Sequence, residues 1–184
     1  MTHETIAVEL KMRHHPLRDK LLPFILTVII FSADQLTKNL VVKTIPLYTI
    51  GASFFGDLIR IIYVNNFGAA FSMGATMSET FRHIFLAFIP LIVLIVVVVI
   101  YFRTAGFTQL QRWALCGVLG GGMGNLFDRF FRVNGVVDFI DIKFFGLFGL
   151  ERFPTFNIAD SSVVVCGFII LVSFFISAKK SGEK

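Results

Sequence analysis

The sequence predicts an all-α membrane protein built from four antiparallel transmembrane helices, and three observations carry that prediction. First, 55% of the 184 residues are hydrophobic, 23 are Phe, and the mean hydropathy is +0.79, whereas a soluble domain holds roughly 45 to 50% apolar residues with Gly included. Second, Ile84 to Phe102 and Ser161 to Ala178 carry no charge and approach the about 20 residues that cross the hydrocarbon as a helix. Third, two further apolar stretches each run into a charged cluster: Leu21 to Ala33 meets "DQLTK", and Trp113 to Phe127 meets "DRFFR". A chain of this length holds one such unit, so a single membrane-embedded domain over residues 1–184 is expected.

Taken in order, a basic tail over residues 1–20 precedes a first span at about 21–43. The region resembles a signal peptide in layout, but its charged part is long and no small-residue cleavage site precedes "ADQLTK", so an uncleaved span is expected. The second span is placed at about 82–102, with Pro90 producing at most a kink. The third, at about 110–131, is Gly-rich, and the fourth, at about 157–178, follows Pro154. Residues 44–80 and 132–156 are the longer connections. Within them, Asp57 to Val64 is β-branched and aromatic and reads as a short strand, and "NGVVDFIDIKFFG" reads as a turn followed by a β-prone run.

Orientation follows from the basic residues only narrowly, because nine Lys and Arg fall on the side of the tails and the 103–112 loop against eight opposite. The termini are therefore placed in the cytoplasm. Cys116 and Cys166 both fall within spans and are read as buried thiols. No paired Cys/His spacing marks a zinc site, and no metal, organic cofactor or nucleic-acid partner is expected.

Antiparallel helices bring the end of span one, the start of span two, the end of span three and the start of span four to one face of the membrane. The unusual polar residues lie there. Asp34 and Lys38 are four apart on the first span, where the ordinary alternative is a snorkelling helix end with a local ion pair. In "VNNFGAAFSMG", Asn66 can donate and accept, and Gly68 admits close approach of a backbone or ligand. In "GVLGGGMGNLFDRFF", Gly117 with Gly121 and Gly120 with Gly124 give small-residue spacings for tight helix contact. Asn125 and Arg129 project from one face of that helix, while Asp128 is displaced to pair elsewhere or to face water. Asn157 is a good N-cap, and Asp160 stands at the third helical position, where acids commonly favour the helix dipole.

Asp160 nevertheless shares its face with Asp138 or Asp141, and intramembrane ionisable residues point to function by default. Two neighbouring carboxyls in a low-dielectric site cannot both ionise readily. One then holds a proton while the other draws a proton from water, the division of labour used in aspartic proteolysis. His3, His14, His15 and His83 lie in the tail or at the start of the second span, away from any obvious nucleophile.

The segments "DQLTK", "NFGAAF", "GNLFDR", "VVDF" and "FNIAD", in this order on four spans, resemble the bacterial lipoprotein signal peptidases, or type II signal peptidases, which are intramembrane aspartic proteases. The resemblance implies that Asp138 and Asp160 are the catalytic pair and Asp141 is not. It implies that Asp34, Lys38, Asn66, Gly68, Asn125, Arg129 and Asn157 support the site or hold substrate. It further implies a small extracytoplasmic β-sheet, a cradle formed from residues 44–72, and a short extracytoplasmic helix. The implied substrate is a prolipoprotein whose lipobox cysteine bears diacylglycerol, cut just before that cysteine. The implied location is the bacterial inner membrane, with lipids as neighbours, the site at the outer leaflet and the enzyme a monomer. Residues 129–138 and 142–155 look long beside the family pattern. A proton-coupled transporter or channel using the same carboxylates would need polar residues through the full membrane depth. A scaffold subunit docking on the glycine face would leave the carboxylates unexplained.

Overall fold

A computed structural model describes residues 16–68 and 79–182. The elements run in the order α1 (Pro16–Leu21), α2 (Phe24–Thr44), β1 (Ile50–Phe54), β2 (Ile59–Asn66), α3 (Glu79–Arg103), α4 (Gln109–Phe131), β3 (Val136–Leu147), β4 (Leu150–Arg152) and α5 (Ile158–Gly182). Three segments are long and apolar enough to cross a membrane, Leu17–Thr44, Ile84–Arg103 and Ile158–Ser177. The chain is thus a multi-pass membrane protein.

The helix α4, expected as a fourth span, is less apolar because it is the central one, packing against α2, α3 and α5. It buries Gln111, Arg112, Asp128 and four glycines along its length, so protein rather than lipid surrounds much of it. The outer helices show the reverse pattern. On α2, Thr27, Asp34, Lys38 and Val41 are buried, spacings of seven, four and three that form one stripe. Val28, Leu36 and Leu40 are exposed on the other side, as are Ile92 on α3 and Val164 and Phe168 on α5. Apolar residues outward and polar residues inward is the arrangement a lipid solvent selects.

The glycines of α4 set the helix separations. A Cβ on Gly121 would stand 2.4 Å from the carbonyl oxygen of Ala159 on α5, and one on Gly124 would stand 2.6 Å from Oδ2 of Asp34 on α2. At the opposite end, Thr108 and Gln111 form a reciprocal capping box at the start of α4, with bonds of 2.9 and 3.2 Å. Buried Arg112 donates to the carbonyls of Tyr101 and Thr104 at the end of α3, closing orphan helix carbonyls.

The sheet is four-stranded and antiparallel, in the order β1-β2-β3-β4. The strand expected at 57–64 is found as β2. The sheet is larger than a cradle drawn from residues 44–72, because the β-prone run after Gly135 supplies β3, its longest strand, and then β4. Gly135 makes the turn into β3 with φ +76°, and a Cβ there would lie 2.6 Å from the carbonyl oxygen of Asn66. Val41, Tyr63, Val137 and Phe139 form an apolar cluster that seats the sheet on the end of α2. The backbone of Phe156 then pairs with Ile140 at 2.8 and 3.0 Å, so the chain enters α5 beside β3. Among the described residues no separate short helix stands between the sheet and α3, and residues 69–78, with Ala69, Ala70 and Phe71 of "NFGAAF", lie outside them.

Candidate active site

Where the sheet meets the helix ends, a cavity of about 680 Å³ is lined by Asn66, Gly68, Asn125, Arg129, Asp138 and Asp160, with Phe67, Phe153, Phe156 and Val164 supplying apolar walls. The polar lining residues come from four separate elements of the chain. The strand β2 presents Asn66 and β3 presents Asp138; α4 carries Asn125 and Arg129, and the first turn of α5 carries Asp160.

Three asparagine amides bind the two carboxyls. Asn66 Nδ2 donates to Asp138 Oδ2 at 2.9 Å, and Asn157 Nδ2 donates to Asp138 Oδ1 at 2.7 Å. Asn125 Nδ2 donates to Asp160 Oδ1 at 2.7 Å, and the Asn157 backbone N–H donates to Asp160 Oδ2 at 3.2 Å. Asn157 therefore touches both acids. Its Oδ1 also accepts the Asp160 N–H at 2.9 Å, so the expected N-cap is present and is reciprocal. The Gly68 N–H donates to Asn66 Oδ1 at 3.0 Å, which orients that amide with its nitrogen toward Asp138.

Asp138 is 3% exposed, and its carboxyl is pushed up to about 7. Burial is the largest cause and the charge of Asp160 adds to it, against the hydrogen bonds from Asn66 and Asn157 and the charge of Lys38. Asp138 thus holds a proton in the range where an ordinary aspartate has none.

Asp34 and Lys38 do not snorkel, since both are fully buried. Lys38 Nζ meets Asp34 Oδ2 at 2.8 Å, Asp128 Oδ2 at 2.9 Å and Asn125 Oδ1 at 2.9 Å, using all three ammonium donors. Asp128, which the sequence left either to pair elsewhere or to face water, takes the first course: it is fully buried, and Arg132 Nε reaches its Oδ1 at 2.8 Å. Gln35 Nε2 lies 3.1 Å from Asp34, Asp128 and the Gly124 carbonyl. Sequence reasoning missed Gln35, Asp128 and Arg132 as members of the site's surroundings. The signal available was the density of polar residues in "DQLTKN" and "GNLFDRFFR" on otherwise apolar helices.

Arg129 lines the cavity and donates to the Leu86 carbonyl at 3.1 Å. Asp141, three residues beyond Asp138, is not an ordinary surface acid. It is buried, and Arg152 Nε binds both of its oxygens at 2.6 and 2.7 Å. Cys116 and Cys166 are buried free thiols. Among the described residues no group of three or more His, Cys, Asp or Glu is placed to hold a metal ion.

The fold and cavity define a multi-pass membrane protein whose acid-bearing cleft opens where a helical bundle meets a small sheet. Comparison with known proteins narrows that class. The chain belongs to the signal peptidase II family, whose sequence model, described as "Signal peptidase (SPase) II", matches residues 26–176. It is similar to the lipoprotein signal peptidase of Treponema pallidum (strain Nichols), 45% identical over 89% of this chain and 88% of that protein. The lipoprotein signal peptidase of Treponema denticola is 49% identical over 89% of this chain and 94% of that protein. The fold is similar to a solved structure described as a bacterial membrane enzyme determined by the in meso method at 2.3 Å resolution. That likeness has a TM-score of 0.75 and 28% identity, covering 89% of this chain and 93% of the other. Membership of this family makes the chain a protease.

Proposed function

We propose that this protein is an aspartic endopeptidase that removes the signal peptide from prolipoproteins by hydrolysing the peptide bond just before a diacylglyceryl-modified cysteine. The observation that carries the reading is the placement of Asp138 and Asp160 on one cavity, joined through Asn157. In the resting site Asp138 keeps a proton, as its burial beside Asp160 favours. Asp160 takes a proton from a water positioned between the acids, and that water attacks the scissile carbonyl carbon. Asp138 donates a hydrogen bond to the carbonyl oxygen as negative charge develops there. The C–N bond then breaks as the amine takes a proton from the dyad, which returns to its starting state.

The supporting residues divide by what they touch. Asn66, Asn125 and Asn157 hold the carboxyl planes. Gly68 keeps the wall open beside Asn66, and Arg129 offers donors to substrate carbonyls. Asp34 and Lys38 sit behind the asparagines. The apolar wall of Phe67, Phe153, Phe156 and Val164 suits a lipid-bearing side chain, since a diacylated cysteine stays anchored in the bilayer and the dyad must meet it at the interface. The chain forms one membrane-embedded domain and acts as a monomer in the bacterial inner membrane. It has four spans, cytoplasmic termini and its site at the outer leaflet.

The test incubates detergent-solubilised protein with a lipobox peptide bearing diacylglyceryl-cysteine and with the unlipidated peptide, wild type beside Asp160→Asn. Cleavage before the cysteine by wild type alone, and of the lipidated peptide alone, is expected. Cleavage by Asp160→Asn would remove that residue from the chemistry, and a folded wild type that cleaves neither peptide would overturn the reading.

A further inference from the structure

A second pair of aspartates lies behind the first. Asp34 Oδ1 accepts the backbone N–H of Ala159 at 3.0 Å, and Asp128 Oδ2 accepts the backbone N–H of Val137 at 3.3 Å. Ala159 immediately precedes Asp160 and Val137 immediately precedes Asp138, so each buried acid grips the chain one residue ahead of one cavity acid. Lys38 joins the two grips through its ammonium, 2.8 Å from Asp34 and 2.9 Å from Asp128. Its third bond, to Asn125 Oδ1 at 2.9 Å, leaves the Asn125 amide nitrogen to face Asp160.

We infer that Lys38, Asp34 and Asp128 form a positioning brace that sets the separation of Asp138 and Asp160. The inference rests on the protease reading above. It also adds Asp128, at the far end of α4, to the residues on which turnover depends.

The physical case has three parts. Asp138 rides on a strand and Asp160 on a helix, and no backbone bond between those two residues fixes their spacing. A dyad works only when both carboxyls address the same water and carbonyl, and misplacement by about 1 Å can cost about a hundredfold in rate. The brace crosses that gap with charge-assisted bonds, which are shorter and stronger than neutral ones. Its charges also close locally, because Lys38 and Arg132 balance Asp34 and Asp128, as buried ions require. Ile158 and Phe139 pack around the same junction in the apolar cluster under the sheet, so the brace sits on a rigid base.

The test uses full-length protein in detergent and the variants Asp34→Asn and Asp128→Asn. Each keeps the side-chain shape but replaces one oxygen with a group that cannot accept a hydrogen bond. Three quantities are measured: melting temperature, kcat and KM on the diacylglyceryl peptide, and amide hydrogen exchange at Ala159 and Val137. Folded Asp34→Asn should exchange faster at Ala159, by about tenfold or more, with Val137 little changed, and Asp128→Asn should show the converse. Both should lose about 10- to 100-fold in kcat while KM stays within about threefold, because substrate contacts are untouched. Should Asp34→Asn fail to fold, Asp128→Asn carries the same test at Asp138. Wild-type kcat in a folded variant would overturn the brace, as would a loss of activity that only follows the loss of folded protein. Wild-type protein that never cleaves sinks the protease reading instead, and the exchange data still judge the two grips.

Discussion

Asn157 and Asp160 cap one another at the start of α5. The Asn157 side chain accepts the Asp160 N–H at 2.9 Å, and the Asp160 side chain accepts the Asn157 N–H at 3.2 Å. The same Asn157 amide donates to Asp138 at 2.7 Å, so one side chain both starts a helix and links two acids. Asn157→Ala removes both functions. Loss of the cap should cost about 1 kcal/mol, seen as a lower melting temperature in detergent. Loss of the donor to Asp138 should move its proton affinity upward, because that hydrogen bond favours the charged form. The alkaline limb of the pH–rate profile should therefore shift to higher pH, and a limb that stays in place would show that Asp138 does not control it.

Asp141→Asn separates structure from chemistry on the same strand. Asp141 is 5% exposed and bound through both oxygens to Arg152, and Arg152 also donates to the Asp57 carbonyl at the β1–β2 turn. Removing the carboxylate charge should destabilise the sheet by about 1 to 3 kcal/mol, discounted from a fully buried pair because Arg152 remains partly solvated. Thermal unfolding would show that loss, while kcat per folded molecule should stay near wild type. Inactivation without destabilisation would mean that Asp141, not Asp138, partners Asp160.

Much of this arrangement is legible in the sequence, and the remainder is hidden for identifiable reasons. Long uncharged runs name the outer helices, and Pro154 followed by Asn157 and Asp160 names the cap. In the strand β3, Asp138 and Asp141 stand three apart and so point to opposite faces. Which face meets the cavity depends on how β3 pairs with β2 and packs on α2, contacts made across some 70 residues or more of chain. Asp128 is the sharper case. Four residues before Arg132 near a helix end, it has the spacing of a solvated surface pair, and it is buried because Lys38 and Gln35 reach it from α2. Local spacing predicts local pairing, whereas a buried network is assembled by tertiary packing.

Two helix glycines, one on α4 and one on α5, yield a prediction in which the same substitution has opposite signs. Gly121→Ala places a methyl 2.4 Å from the Ala159 carbonyl oxygen and 3.0 Å from Val163, so α5 must move, and with it the turn that holds Asp160. Overpacking of this kind typically costs about 1 to 3 kcal/mol, and activity should fall further than stability. Gly167→Ala on α5 meets nothing within 4 Å and should raise the melting temperature, by up to about 1 kcal/mol of helix propensity. Equal melting and activity for wild type and Gly121→Ala would show that the α4–α5 contact is not held at this spacing.

The raised proton affinity of Asp138 makes both stability and turnover depend on pH, in the same direction. The folded state binds this proton up to about pH 7, while an unfolded aspartate releases it near 3.8. The stability it contributes is therefore fully present below the unfolded value and is lost as pH rises through about 7. Between those limits the stability should fall with a slope approaching about 1.4 kcal/mol per pH unit from this group alone. Turnover should fall over the upper part of that range, because ionised Asp138 cannot donate to the carbonyl oxygen of the substrate. Asp138→Asn, which never ionises, should flatten this contribution to the stability slope and abolish cleavage at every pH. Melting curves of wild type and variant between pH 5 and pH 8 would check the first expectation, and a lipidated-peptide assay over the same interval the second. A wild-type slope no steeper than that of the variant would show that Asp138 is already ionised in the folded protein, and the roles of the two acids would have to be exchanged.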